Sequence, residues 1–444
     1  MKRSLYIKIL PVFAALLLSG CNKGGEDTIP SEYELTFGQP EFFCPGETQD
    51  IPYSLGPLSP DKIVAEVVPQ GWSVEILSGS NTIRVVCSDE YPQGGKDGDA
   101  KIVVSGGRAA EKTYWITLDC LPVQWYHDDV VAASAFGGGD GTSADNAYEI
   151  SEAGELRKLI DDVKAGNTYS NQYFKLTEDF KITSTKWLPI GTVDNPFMGA
   201  FDGNGKIRYG RIHSDEQKAL GVFGAAKGSL SNITVEANVI NGLKTKEKNV
   251  NIDTGGIVGS FSGVISGCKF TGTVSGGGID AAEPSWSNTG GIVGRCSDSE
   301  ISGCEVGGTV TGGSAGEYDF TCTGGVVGVT SNTNLLDCLN KAVVNAGAGN
   351  SAVGGIVSVF GEGAAVSLHK CANSGEIRNP KSARLINAGG VVGECYGAIY
   401  SCCTNSAKVL GNKPIKENDF WRVGLLFSNG TTPECEEHGG LEEA

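Results

Sequence analysis

In the C-terminal two thirds of the chain, apolar positions come in bursts of two or three residues bracketed by glycine, and the bursts repeat. Gly255-Gly256-Ile257-Val258-Gly259 returns as Gly290-Gly291-Ile292-Val293-Gly294, Gly324-Gly325-Val326-Val327-Gly328, Gly354-Gly355-Ile356-Val357-Ser358 and Gly389-Gly390-Val391-Val392-Gly393. A degenerate copy, Leu220-Gly221-Val222-Phe223-Gly224, precedes them, and another, Val423-Gly424-Leu425-Leu426-Phe427, follows. The starts at 220, 255, 290, 324, 354 and 389 are separated by 35, 35, 34, 30 and 35 residues, and the aligned Gly424 lies 35 beyond 389. Spacing this regular marks a repeat architecture. Within one unit the pieces are strand-sized, as in GGIVG, EISGC (300–304) and GTVTG (308–312), and no helical period fits between them. Three short strands per turn with glycine at the corners predict a parallel β-helix, or β-solenoid. Stacking then buries the apolar positions that one coil alone leaves exposed. At about 4.8 Å per coil, seven coils make a rod roughly 34 Å long.

Stacked coils put equivalent residues in columns. Cys268, Cys304, Cys338, Cys371 and Cys403 follow their motif starts by 13, 14, 14, 17 and 14 residues, and Cys296 and Cys395 share a second offset of six. Coil spacing lies inside the disulfide range of roughly 4.4–6.8 Å between Cα atoms, but parallel side chains strain such a bridge. A column of small apolar thiols is therefore expected. Four residues before each start runs another column: Asn251, Trp286, Phe320, Asn350, Leu385 and Phe420. Trp286 and Phe320, with nearby Tyr318, sit in long inter-coil loops and are the candidate ligand-binding residues. Upstream, Leu156, Leu159, Ile160 and Val163 recur at helical spacing behind an N-cap candidate, Ser151. This helix is expected to cap the open end of the solenoid core.

Residues 32–121 show a different rhythm. YELTF, IPYSL, IVAEVV, WSVEIL, TIRVVC, AKIVVSG and TYWITL alternate with Pro- and Gly-containing breaks. Seven strands in about ninety residues predict a β-sandwich, with Trp72 in its core. Cys44, Cys87 and Cys120 leave room for one bridge whose pairing the sequence does not choose. The stretch 122–146 is expected to be a linker, 147–435 the β-helix, and 436–444 an acidic tail. The chain starts with basic Lys2, Arg3 and Lys8, an apolar run from Ile9 to Leu18, and then Ser19-Gly20-Cys21. This is the layout of a secretory signal spanning 1–20. Residues 21–31 follow as a polar tether.

The net charge of −17 argues against nucleic acid as a partner, because phosphate contact needs basic patches. The fourteen cysteines contain no CxxC pair, which speaks against a zinc ribbon or a thioredoxin-like site. His127, His213, His369 and His438 sit in unrelated contexts. No metalloprotease, nucleophile-elbow or P-loop motif occurs. Asp202, within Asp202-Gly203-Asn204-Gly205, reads as a turn former, and Gly138-Gly139-Asp140-Gly141 as part of the linker. No catalytic residue, cofactor or metal is expected.

Leu18-Ser19-Gly20-Cys21 resembles the lipobox of bacterial lipoproteins, which implies acylation of Cys21 and anchoring through lipid. Acids soon after Cys21 are similar to the surface-export signal of Bacteroidetes lipoproteins. GETQDIPYSL and VPQGWSVEI resemble the immunoglobulin-like modules of such proteins. NAYEISEAGELRKLIDDVKAGNTYSNQYFKLTEDFKI, then WLPIG, PFMGAFDGNGKI and the GGIVG-type coils, resemble GLUG-repeat proteins over 147–435. That resemblance implies a right-handed β-helix on a bacterial surface. Arg208-Tyr209-Gly210-Arg211 departs from the pattern at a place where apolar and small residues are usual. The expected protein is an outer-membrane, surface-exposed lipoprotein, a non-enzymatic adhesin or rod binding a host or microbial glycan or surface protein. The alternatives are a structural or accessory subunit of a surface assembly and a carbohydrate-active β-helix enzyme.

Overall fold

The computed structural model describes residues 34–37, 43, 48–56, 62–67, 71–87, 98–105, 110–118, 130–180, 183–184, 187–204, 206–281, 283–360, 367–378, 386–395, 399–411, 421–424, 436–437 and 441–443. Cys21, Cys44, Cys120, Leu385 and Phe420 lie outside them. Among the described residues, no helix is long and apolar enough to cross a membrane.

The N-terminal part holds seven antiparallel strands in two sheets. Leu35–Phe37, Thr48–Leu55, Thr82–Val86 and Ser73–Leu77 pair in that order, and Lys62–Val67, Gly98–Ser105 and Lys112–Leu118 form the second sheet. Alternation turns Ile51, Ile83 and Val85 of one sheet and Ile102, Val104 and Ile116 of the other into one shared core. Phe43 meets Trp72 edge-on there, at 4.8 Å between ring centroids.

The C-terminal part is a parallel β-solenoid. Its plainest ladder is a seven-stranded parallel sheet: Ala219–Leu220, Asn251–Gly255, Trp286–Gly290, Phe320–Gly324, Asn350–Gly354, Ile386–Gly389 and Trp421–Gly424. Motif glycines stack in register, Gly255 on Gly290, Gly290 on Gly324, and so on to Gly424. Each coil then bends and enters a second sheet through Val258, Val293, Val327, Val357 or Val392. Bend residues Ile257, Ile292, Val326, Ile356 and Val391 are fully buried, and the N–H groups of the first four bond carbonyls of the next coil. Glu436–Glu437 and Leu441–Glu443 also pair in parallel with Thr404–Asn405 and Val409–Gly411 of the preceding coil.

Space, not torsion, explains the repeated glycines. A Cβ on Gly290 would stand 2.1 Å from the carbonyl oxygen of Val293, inside its own bend. On Gly291 it would stand 2.3 Å from the Gly325 carbonyl of the next coil. On Gly294 it would strike the backbone of Asp253 and Thr254. The three glycines thus mark three close backbone approaches per coil. The fifth coil puts Ser358 in the third place, and its hydroxyl donates to the Ala352 carbonyl at 2.7 Å. A different corner, just before the cysteine column, does demand torsion. Asn232, Gly267, Gly303, Asp337, Lys370 and Cys402 all hold φ between +50° and +63° there. This accounts for the glycine of SGC in two of the coils.

The thiol column forms as the spacing predicts. Cys268, Cys304, Cys338, Cys371 and Cys403 are buried and unpaired. Their thiols donate to backbone carbonyls, Cys268 to Leu230, Cys304 to Ser302, Cys338 to Ile301, Cys371 to His369 and Cys403 to Leu368. The neighbouring thiol of the adjacent coil, together with burial, holds Cys304, Cys338, Cys371 and Cys403 well above the ordinary thiol range, so they stay protonated and inert. Two residues on runs an inner column that changes character: Val235, Phe270 and Val306 give way to Asn340, Asn373 and Asn405. Asn340 Nδ2 donates to Asn373 Oδ1, and Asn373 Nδ2 to Asn405 Oδ1, both at 2.8 Å. The second motif glycine packs on this column, Gly256 against Phe270, Gly291 against Val306, Gly325 against Asn340 and Gly355 against Asn373.

The helix Ala153–Lys164 places Leu156, Leu159, Ile160 and Val163 in the same continuous core as the coils. Its N-cap is Glu152, one residue later than Ser151. The shift follows from Glu155, whose Oε2 accepts the N–H groups of both Ser151 and Glu152 at 2.6 and 3.2 Å, the reciprocal arm of a capping box. Part of the stretch read as a linker is tied to this end of the rod. The Gly137 N–H donates to the Glu149 carbonyl and the Glu149 N–H to the Gly138 carbonyl, and Phe136 packs among Tyr148, Tyr169 and Phe174. The Arg208-Tyr209-Gly210 departure is absorbed as a register shift between Arg208 and Gly210, a β-bulge in the strand Lys206–Ser214.

Candidate ligand cleft

Two outward-facing columns meet along the GGIVG bend. One runs Asp253, Asn288, Cys322, Ala352, Asn387. The other, on the far side of the bend, runs Ser260, Arg295, Val329, Val359, Glu394. Where both columns carry polar residues, side chains cross between them. Arg295 Nε donates to Asp253 Oδ2 at 3.0 Å, and Asn387 Nδ2 donates to Glu394 Oε2 at 3.1 Å. The 324 and 354 coils between those crossings carry only Cys322 with Val329 and Ala352 with Val359. These side chains are too short to bridge, and they leave a cleft of about 360 Å3.

The third column, Asn251, Trp286, Phe320 and Asn350, pairs in register as its spacing predicts and supplies the wall. The rings of Trp286 and Phe320 lie nearly parallel, at 16°, with centroids 6.3 Å apart. Both line the cleft, and Trp286 keeps 38% of its surface exposed. An indole this open is an apolar face turned to solvent. Tyr318, the third candidate, is 57% exposed and is not among the residues that line the cleft.

Electrostatics sharpen the ends. Asp253 is almost fully buried, and burial pushes its carboxyl up, opposed by the Arg295 guanidinium and the Asn288 amide at 2.8 Å. On the floor, burial pushes the Cys322 thiol up to about 12, so it faces the cleft as a small apolar group. The Ser351 hydroxyl is buried in the wall without a hydrogen-bond partner among the described residues. No group of three or more His, Cys, Asp or Glu side chains among the described residues is placed to hold a metal.

Neither protein-family models, nor curated proteins, nor solved structures yielded a match to this chain. The cleft therefore stands on its own geometry.

Sequence reasoning picked out the aromatic wall and missed the floor and the ends. A signal was present in the residue five positions after each motif start. It reads Ser260, Arg295, Val329, Val359, Glu394, and two valines in an otherwise polar outward column mark the apolar stretch. Asp253 and Asn387 gave no such signal, because their role depends on a side chain across the bend.

Proposed function

We propose that this chain is a lipid-anchored surface protein of the GLUG-repeat type that binds a glycan, without catalysis, in the cleft beside Trp286 and Phe320. The observation that carries the reading is the parallel, solvent-facing aromatic pair standing over an apolar floor with polar ends. Sugar rings present C–H faces that stack on such aromatics, and their hydroxyls suit the polar groups at either end. The carboxylates at the two ends support binding over chemistry. Asp253 and Glu394 are four coil steps apart, about 19 Å, whereas paired glycosidase carboxyls sit roughly 5–9.5 Å apart. The N-terminal sandwich then serves as a spacer between the outer membrane and the rod.

The test is a glycan and mucin array probed with the purified full chain and with the Trp286→Ala/Phe320→Ala double variant. Two anchor rings contribute roughly 2 kcal/mol or more between them, so affinity for the bound glycan falls at least about thirtyfold in the variant. A folded wild-type chain that binds nothing on the array, or a variant that binds as well as wild type, overturns the reading and points to a protein partner. The anchor is tested separately. In the native host the chain takes up labelled fatty acid and stays with the membrane, and Cys21→Ser loses both the label and the membrane association.

A further inference from the structure

Arg295 lies just outside the residues that line the cleft, in register with the lining residue Val329 of the next coil, and its Nε is engaged by Asp253. Its Nη1 and Nη2 have no partner among the described residues, and 40% of the side chain is exposed. The carboxylate that holds it, Asp253, is 2% exposed and also takes the Asn288 amide. A buried ion pair is a poor source of stability, since desolvation offsets most of the attraction. What this one accomplishes is orientation. It fixes a planar cation one coil from Phe320 and on the same coil as Trp286. Two parallel N–H donors at a fixed spacing match the two oxygens of a carboxylate. At the opposite end stands Glu394, three coil steps or about 14 Å away, more than a Debye length at physiological salt.

Resting on the binding reading above, we infer that the cleft selects an acidic sugar. Its ring stacks on the Trp286–Phe320 wall over Val329 and Ala352, and its carboxylate takes the free Nη edge of Arg295. Asp253 is then a positioning residue for Arg295. The Cys322, Ala352 and two-valine floor offers nothing to a second charge, so one carboxylate per bound ring is what the site accommodates.

The experiment compares matched oligosaccharides on the full wild-type chain. One set carries a uronic or sialic-type carboxylate, and the other is the same chain with that carboxylate reduced to the alcohol. The acidic form is expected to bind about tenfold to a hundredfold tighter, the range of a charge-assisted hydrogen-bonded pair. Arg295→Gln removes that preference while leaving affinity for the reduced form within about threefold. Because Arg295→Gln alone leaves Asp253 buried without its cation, the Asp253→Asn/Arg295→Gln pair is measured beside it, with folding checked by circular dichroism. Equal affinity for the two sugars on wild type overturns this inference and leaves glycan binding standing. A preference that survives in the folded double variant also overturns it. Binding of neither form overturns the inference together with the reading it rests on.

Discussion

Gly325→Ala will destabilise the rod by about 3 kcal/mol or more, although it adds a single methyl group. The added carbon would stand 2.0 Å from the Gly355 carbonyl oxygen of the next coil and 2.5 Å from the Asn340 amide carbon. Neither neighbour is free to withdraw. The carbonyl belongs to a bend locked between coils, and the amide is held by its own bonds to Ala342 and Asn373. Overfilling of this kind displaces backbone, which puts the cost at the upper end of the usual overpacking range. Gly307→Ala is the matched control. It lies in a strand of the preceding coil, its nearest contact would be Thr271 Oγ1 at 3.6 Å, and it should be neutral or stabilise by up to about 1 kcal/mol through lost chain entropy. Urea denaturation of the two variants beside wild type decides the matter. Equal midpoints for both would show that the glycines are not there for space.

The second large effect is expected at Asn373. Its amide donates to Asn405 Oδ1 and the Gly375 carbonyl, and its oxygen accepts from Asn340 Nδ2 and the Gly375 N–H. All of this happens inside the core, where Asn373 is 1% exposed. Alanine removes four bonds at once and strands donors and acceptors that water does not reach. At roughly 1–3 kcal/mol for each buried group left unsatisfied, the loss is about 4 kcal/mol. Because coils contribute to stability largely through their neighbours, the damage should spread along the rod. Hydrogen exchange of Asn373→Ala should show lost protection in the 324 and 389 coils as well as in the 354 coil. Loss confined to residues 371–378 would mean that the asparagines act as three separate turns and not as one ladder.

Architecture was legible in the sequence because the solenoid is a periodic object. The register of Gly255, Gly290 and Gly324, the stacking of Trp286 on Phe320 and the thiol column all follow from counting residues between copies. The helix cap was displaced by one residue because Glu155 reaches back over the N–H groups of Ser151 and Glu152, and motif spacing does not tell which backbone N–H a carboxylate will choose. The asparagine ladder hid in plain view. Cys-x-Asn recurs at 338–340, 371–373 and 403–405, but asparagine suggests a surface turn unless its neighbours above and below are asparagines as well. The cleft was only half legible for a related reason. Its wall lies within one column, which counting reveals. Its floor and ends lie between two columns on opposite sides of a bend, and only the folded corner shows that Asp253 faces Arg295.

The cleft has a length because two consecutive coils have small apolar residues where their neighbours have bridging polar ones. Duplicating either coil would insert another in-register layer without disturbing those above or below, moving Arg295 and Glu394 apart by one step of about 4.8 Å. Deleting one would close the site. Cleft length in this rod is thus inherited in whole repeats, and unequal recombination between similar coils is enough to lengthen or abolish it.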